Sequence, residues 1–168
     1  MENIVYDNQF NGNEWFVIGL MLVGFGASWL LPRTFSPLQM IFNMLIGITF
    51  GLIFDHTIGV PPLDLYDFGD QSNYEMFDLF SYLMYAPYGY LFIYGIERLR
   101  IYGILTIGYI LLWTSGAILI EWLGLKVGLF HYKDGYRLLY SIPIYLILQS
   151  FHLLMYCMVF SLDRWQRQ

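Results

Sequence analysis

Five apolar runs, at about residues 15–31, 38–57, 78–97, 101–123 and 140–162, divide this chain. A helix crosses a bilayer with about 20 residues, so each run is long enough to do so. In hydrocarbon every backbone N–H and C=O has to be bonded within the protein, which leaves helices as the form for such runs. The expectation is an all-α fold: a polytopic integral membrane protein, one transmembrane domain of 168 residues built as a five-helix bundle. Charged residues make up 12% of the chain, half of the roughly 25% of a soluble domain. No basic patch is present, so a nucleic-acid partner is not expected. The single Cys157 lies within the last run and cannot form an internal disulfide.

The distribution of charge sets the expected topology. Residues 55–78 carry six acids (Asp55, Asp64, Asp67, Asp70, Glu75 and Asp78) and no Lys or Arg. Basic residues are retained on the cytoplasmic side, so the acidic loop 58–77 is expected outside. The N-terminus then lies outside and the C-terminus inside. Arg33, Arg98, Arg100, Arg164 and Arg167 fall inside; Lys126, Lys133 and Arg137 fall outside, in segment 124–139. That segment is too polar to span, and is expected at the outer interface or as a short re-entrant piece. Residues 1–14 lack the basic start of a cleaved signal peptide and are expected as a retained outer tail. No internal repeat stands out.

Polar groups at membrane depth cost about 2.5–3.5 kcal/mol each and call for a role. Asp55, His56 and Glu121 are all placed near the outer ends of runs two and four. Together they would make a carboxylate pair with a histidine, a set suited to acid–base work, with Glu121 as the acid or base. The plainer alternative is that each reaches headgroup water. Asn43, Gln149 and His152 lie deeper and must face the bundle, where interhelical hydrogen bonding is the expected role. Gly47 and Gly51 form a G-x-x-x-G pair for close helix packing. Asp64, Asp67 and Asp70 recur every third residue in PLDLYDFGD, a spacing unlike a calcium loop that supports weak divalent binding at most. No motif for a cofactor or for a common enzyme class is present, and no cofactor is expected.

Two stretches carry a resemblance: Pro62-Leu63-Asp64-Leu65-Tyr66-Asp67 through Tyr85-Ala86-Pro87-Tyr88, and Glu121-Trp122-Leu123-Gly124 with Gly128-Leu129-Phe130-His131-Tyr132 and Tyr140-Ser141-Ile142-Pro143. They resemble small multi-span membrane proteins of Gram-positive, often spore-forming bacteria, a group with no assigned activity. The resemblance implies a bacterial cytoplasmic membrane location and supplies no catalytic residue. The first expectation for function is a non-catalytic subunit or assembly factor of a membrane complex. Its partners would be the lipid bilayer and another protein or a second copy, met through the glycine-bearing faces. The alternatives are a membrane-embedded enzyme acting on a lipid or isoprenoid at the outer leaflet, and a small transporter or channel lined by Asn43, Gln149 and His152.

Overall fold

The computed structural model describes residues 10–69 and 76–160, with the backbone alone for 76–78. Five helices carry the fold: α1 (Gly12–Leu30), α2 (Pro37–Asp55), α3 (Met76–Arg98), α4 (Ile104–Lys126) and α5 (Ser141–Phe160). Four of them, counting the turn that leads into α5, are long and apolar enough to cross a membrane. Asp70 and Glu75 of the acidic loop, and Arg164 and Arg167 at the C-terminus, lie outside the described residues.

The helix starts follow from local capping chemistry. Helix α1 begins earlier than the apolar run implies because Asn11 and Glu14 close a capping box, with the Asn11 N–H donating to Glu14 Oε2 at 2.7 Å. The reciprocal bond satisfies amides that would otherwise have no partner in the first turn. Ser36 and Gln39 do the same for α2, with Pro37 at its first position, where the missing N–H costs nothing. Helix α4 starts later than expected, at Ile104, after Gly103 takes the positive φ of 59° that ends the turn from α3.

Helix α3 is the axis of the protein. Ser81, Pro87, Phe92 and Ile93 are fully buried along it, and the helix continues through Pro87. Helix α1 packs on one side of it, with Gly24 set against the Pro87 ring. Helices α2, α3, α4 and α5 close a ring, each touching the next. The tyrosines that make α3 the least apolar helix face protein, which is why its composition is compatible with its central place. Gly47 and Gly51 are both taken up within the chain, the first against the Tyr85 backbone and the second against the Tyr85 ring. Helix–helix packing is therefore their role here, but the partner is α3 and not another molecule.

The connections expected as a solvated loop and an interfacial segment form one structure. Strand β1 (Tyr66–Phe68) pairs antiparallel with β2 (Phe130–Tyr132), Asp67 standing opposite His131 and Tyr66 opposite Tyr132. A single 3-10 turn (Leu138–Tyr140) then leads into α5. Lys133 ties the ladder down, its Nζ 2.6 Å from Asp67 and 3.1 Å from Asp64. Segment 124–139 thus folds back over the acidic loop. Strands of three residues each, separated by more than sixty positions, carry no periodicity that could have announced them.

The elements on the two sides of the ladder follow one order. Units α2–β1–α3 and α4–β2–α5 have the same element order. In both, the first helix runs toward the ladder and the second runs away from it.

Candidate functional site

A cavity of about 390 Å³ lies inside the ring, beneath the ladder. Its wall is largely aromatic and aliphatic, with Gln149 and His152 set among Phe50, Phe92 and Leu148 at depth, and Asp55 and Glu121 reach it at the ladder end. Each acid is at or near the C-terminal end of its helix, and each is buried, with 7% and 6% of its surface exposed. A helix C-terminus disfavours negative charge within its last turn, so the Asp55 position is not an easy one for a carboxylate.

Both carboxylates are held in the same way. Tyr66 of β1 donates its hydroxyl to Asp55 Oδ1 at 2.5 Å, and Tyr132 of β2 donates to Glu121 Oε1 at 2.5 Å. In each unit the tyrosine follows its acid by 11 residues, and the two tyrosines face each other in the ladder. Ser141, at the start of α5, adds a second donor to Glu121 Oε1 at 2.7 Å and itself contacts the Tyr136 hydroxyl at 3.1 Å. Glu121 Oε2 is buried with no hydrogen bond among the described residues. Tyr85 of α3 lies close enough to feel the charge of both acids, and the Tyr145 hydroxyl of α5 lies within hydrogen-bond reach of Glu121.

The titration of the ladder residues reflects this setting. Burial, then the Asp55 charge, pushes the Tyr66 phenol far above its ordinary range. Tyr132 is pushed up by burial and by its bond to Glu121, and Tyr136 is raised by burial, with its Ser141 bond working against the shift. In all three the shift favours the neutral hydroxyl. Burial lowers His131, with Asp67 pulling the other way. Burial works against the Lys133 ammonium, but the bonds to Asp67 and Asp64 outweigh it, and the net shift is upward.

Of the three residues expected to converge, Asp55 and Glu121 share the cavity wall and His56 does not join them there. His56 caps α2 at an exposed position, its Nδ1 2.9 Å from the Leu52 carbonyl and its ring against Tyr82. Asp64 and Asp67, considered as divalent ligands, have Lys133 as their cation; Asp70 is outside the described residues. Among the described residues no group of three or more His, Cys, Asp or Glu is arranged to hold a metal ion.

The deeper polar residues pair across helices. His152 Nε2 lies 2.9 Å from Asn43 Oδ1, joining α5 to α2, and Asn43 also donates to the Gln39 carbonyl. Gln149 accepts from Thr114 at 3.0 Å, joining α5 to α4. Thr114, Ser141 and the ladder tyrosines are contributors that sequence reasoning passed over. The equal acid-to-tyrosine spacing in the two halves was the one signal that could have pointed to Tyr66 and Tyr132.

The cavity is not sealed. Leu112 and Gly116 of α4 are exposed on the outer surface of the bundle and line the cavity as well. A Cβ on Gly116 would meet no atom within 4 Å. Helices α3 and α4 touch where Tyr109 stacks on Phe92 and bonds its carbonyl. Toward the ladder, the wall opens sideways past Leu112 and Gly116.

No family model, curated protein or solved structure matches the chain.

Proposed function

We propose that this is a multi-pass protein of a bacterial cytoplasmic membrane that takes a lipid-like or isoprenoid molecule from the bilayer into its central cavity. The observation that carries the reading is the lateral opening at Leu112 and Gly116, which joins the membrane-facing surface to a cavity ending at two buried carboxylates. An apolar tail would lie along Phe50, Phe92 and Leu148, and the head would reach Glu121 and Asp55. This arrangement, apolar over most of its surface with a few convergent polar groups, is that of small-molecule sites in general. Glu121, held by the hydroxyls of Tyr132 and Ser141 and within reach of Tyr145, is the group placed to exchange a proton or a hydrogen bond with the head. The subunit reading drew on the small size, the absent enzyme motifs and the small residues of the first two runs. Helix α3 occupies Gly47 and Gly51, whereas a Cβ on Gly19 or Gly26 of α1 would meet no atom within 4 Å.

The test is to close the opening. Gly116→Phe places a ring across the cavity mouth where space is free. A photoactivatable single-chain lipid in nanodiscs is expected to label cavity residues in the wild-type protein and to lose most of that labelling in Gly116→Phe, with thermal stability unchanged. Equal labelling of the two would sink the proposal.

In the proposed topology all five helices span, α3 included, with the ladder outside and the turn after α3 inside. It follows from the absence of Lys and Arg in residues 55–78 and from Arg98 and Arg100 at the opposite end. Single cysteines at Leu63, 51% exposed in the acidic loop, and at Arg98, in a Cys157→Ser background, are expected to react with an impermeant maleimide from opposite faces of the membrane. Reaction of both from one face would refute the arrangement.

A further inference from the structure

We infer that the ligand enters the cavity from the middle of the bilayer and carries an uncharged head: it is a single-chain lipid ending in a hydroxyl or carbonyl group. The inference deepens the cavity reading above and rests on it. Its first ground is the depth of the entrance. Among the described residues that line the cavity, Leu112 and Gly116 are the exposed ones, and the ladder-end residues Tyr66, Phe130 and Tyr136 are half-buried. Helix α4 has 23 residues; at about 1.5 Å per residue, Leu112 lies about 12 Å from Ile104 and Gly116 about 15 Å from Lys126. With α4 spanning, the entrance sits at the centre of a hydrocarbon core about 30 Å thick. Tyr102 and Trp122, exposed aromatics of the kind found at headgroup level, lie on either side of it.

The surface around the entrance offers an ion nothing. Leu111 and Leu119 are exposed beside it, the Ser115 hydroxyl is bonded to the Leu111 carbonyl of its own helix, and the Thr114 hydroxyl is bonded to Gln149. A charged head passing this point is costly, whereas a hydroxyl or carbonyl head loses far less on leaving water. The second ground is what lies inside. Asp55 is held by Tyr66, and Glu121 by Tyr132 and Ser141, so both acids already have donors. An uncharged head meets a wall that also carries the hydroxyls of Tyr85, Tyr136 and Tyr145, and exchanges hydrogen bonds there. The tail has one way out. Phe92 stacks on Tyr109 and packs against Trp113, with Ile93, Ile96 and Tyr156 buried beyond it, so a chain longer than the cavity leaves past Leu112 into the bilayer.

The experiment follows entry with three probes that share one diazirine-bearing dodecyl tail and differ in the head: hydroxyl, phosphate or trimethylammonium. The wild-type protein in nanodiscs of neutral lipid is mixed with each probe and photolysed at set times, and the modified residues are located by mass spectrometry. Labelling of Leu119, exposed on α4 outside the cavity, measures the probe present in the bilayer. Relative to Leu119, the hydroxyl probe is expected to reach Leu148 and Tyr145 roughly 60-fold faster than either ion, which corresponds to about 2.5 kcal/mol for a charge at the bilayer centre. An ionic probe that reaches them as fast as the alcohol would overturn the uncharged head and leave the cavity reading standing. No labelling of Leu148 or Tyr145 by any probe would overturn both.

Discussion

Lys133→Met is expected to destabilise the protein by about 3–5 kcal/mol, the cost of breaking a buried ion pair from one side. Lys133 reaches over the ladder to Asp67 at 2.6 Å, with side-chain exposures of 20% and 5%. Removing the ammonium leaves the Asp67 carboxylate buried without its cation, which costs more than the pair itself contributes. The second partner, Asp64, is 42% exposed, so Asp64→Asn alone should shift stability by less than about 1 kcal/mol. The combination Lys133→Met with Asp67→Asn should recover much of the loss, and a double-mutant cycle by denaturant titration in detergent measures the coupling. Full additivity of the two single changes would show that the contact is not a pair in energetic terms.

Alkaline pH should act on the same ladder. Lys133 is shifted above its ordinary 10.5 in the folded protein. Its contribution is therefore complete below that value and is lost as pH rises through the higher folded one. Tyr66, ordinarily 10.0, is likewise held neutral by folding, so its contribution also falls away above about 10. Stability of the wild type should drop steeply above about pH 10, and the drop should be shallower in Lys133→Met.

The apolar runs were readable because each helix needs only its own residues: length, hydropathy and the caps Ser36 and Asn11 are local. The place of Asn43, Gln149 and His152 inside the bundle also followed from cost alone, since charge and amide groups cannot face hydrocarbon. Their partners did not follow, because Thr114 and Asn43 are indistinguishable from other polar residues until the helices are arranged. The ladder was hidden for a different reason. Tyr66 and Tyr132 are separated by a whole helix pair, and three-residue strands show no alternation to read. His56 was grouped with Asp55 by adjacency, yet neighbours on a helix point about 100° apart. The turn at the end of α2 sends Asp55 inward and His56 to the surface. Depth along the membrane was a sound inference; direction around the helix was the missing coordinate.

Gly89→Val is expected to separate α2 from α3 and to cost about 1–3 kcal/mol from overpacking alone. A Cβ at Gly89 would fall 2.5 Å from the Asn43 carbonyl oxygen and 3.0 Å from the Gly47 Cα. These are backbone atoms of a facing helix and cannot swing aside as a side chain would. The contact is reciprocal, since a Cβ on Gly47 would run into the Tyr85 carbonyl. Relief requires the helices to move apart, and three other contacts ride on their spacing. Asn43 would be drawn from His152, now at 2.9 Å; Gly51 would lose the Tyr85 ring; and Asp55 would shift relative to Tyr66. Gly47→Val should have a similar effect, and the double variant should cost less than the sum, because one displacement relieves both clashes. Gly108→Ala on α4 is the control: nothing lies within 4 Å of its Cβ position, and replacing an exposed helical glycine should be neutral or stabilising by about 0.5–1 kcal/mol. Helix content followed through an SDS titration ranks the four variants against wild type. A Gly89→Val protein as resistant as wild type would mean that α2 and α3 do not meet backbone to backbone, and the cavity walls they form would have to be redrawn.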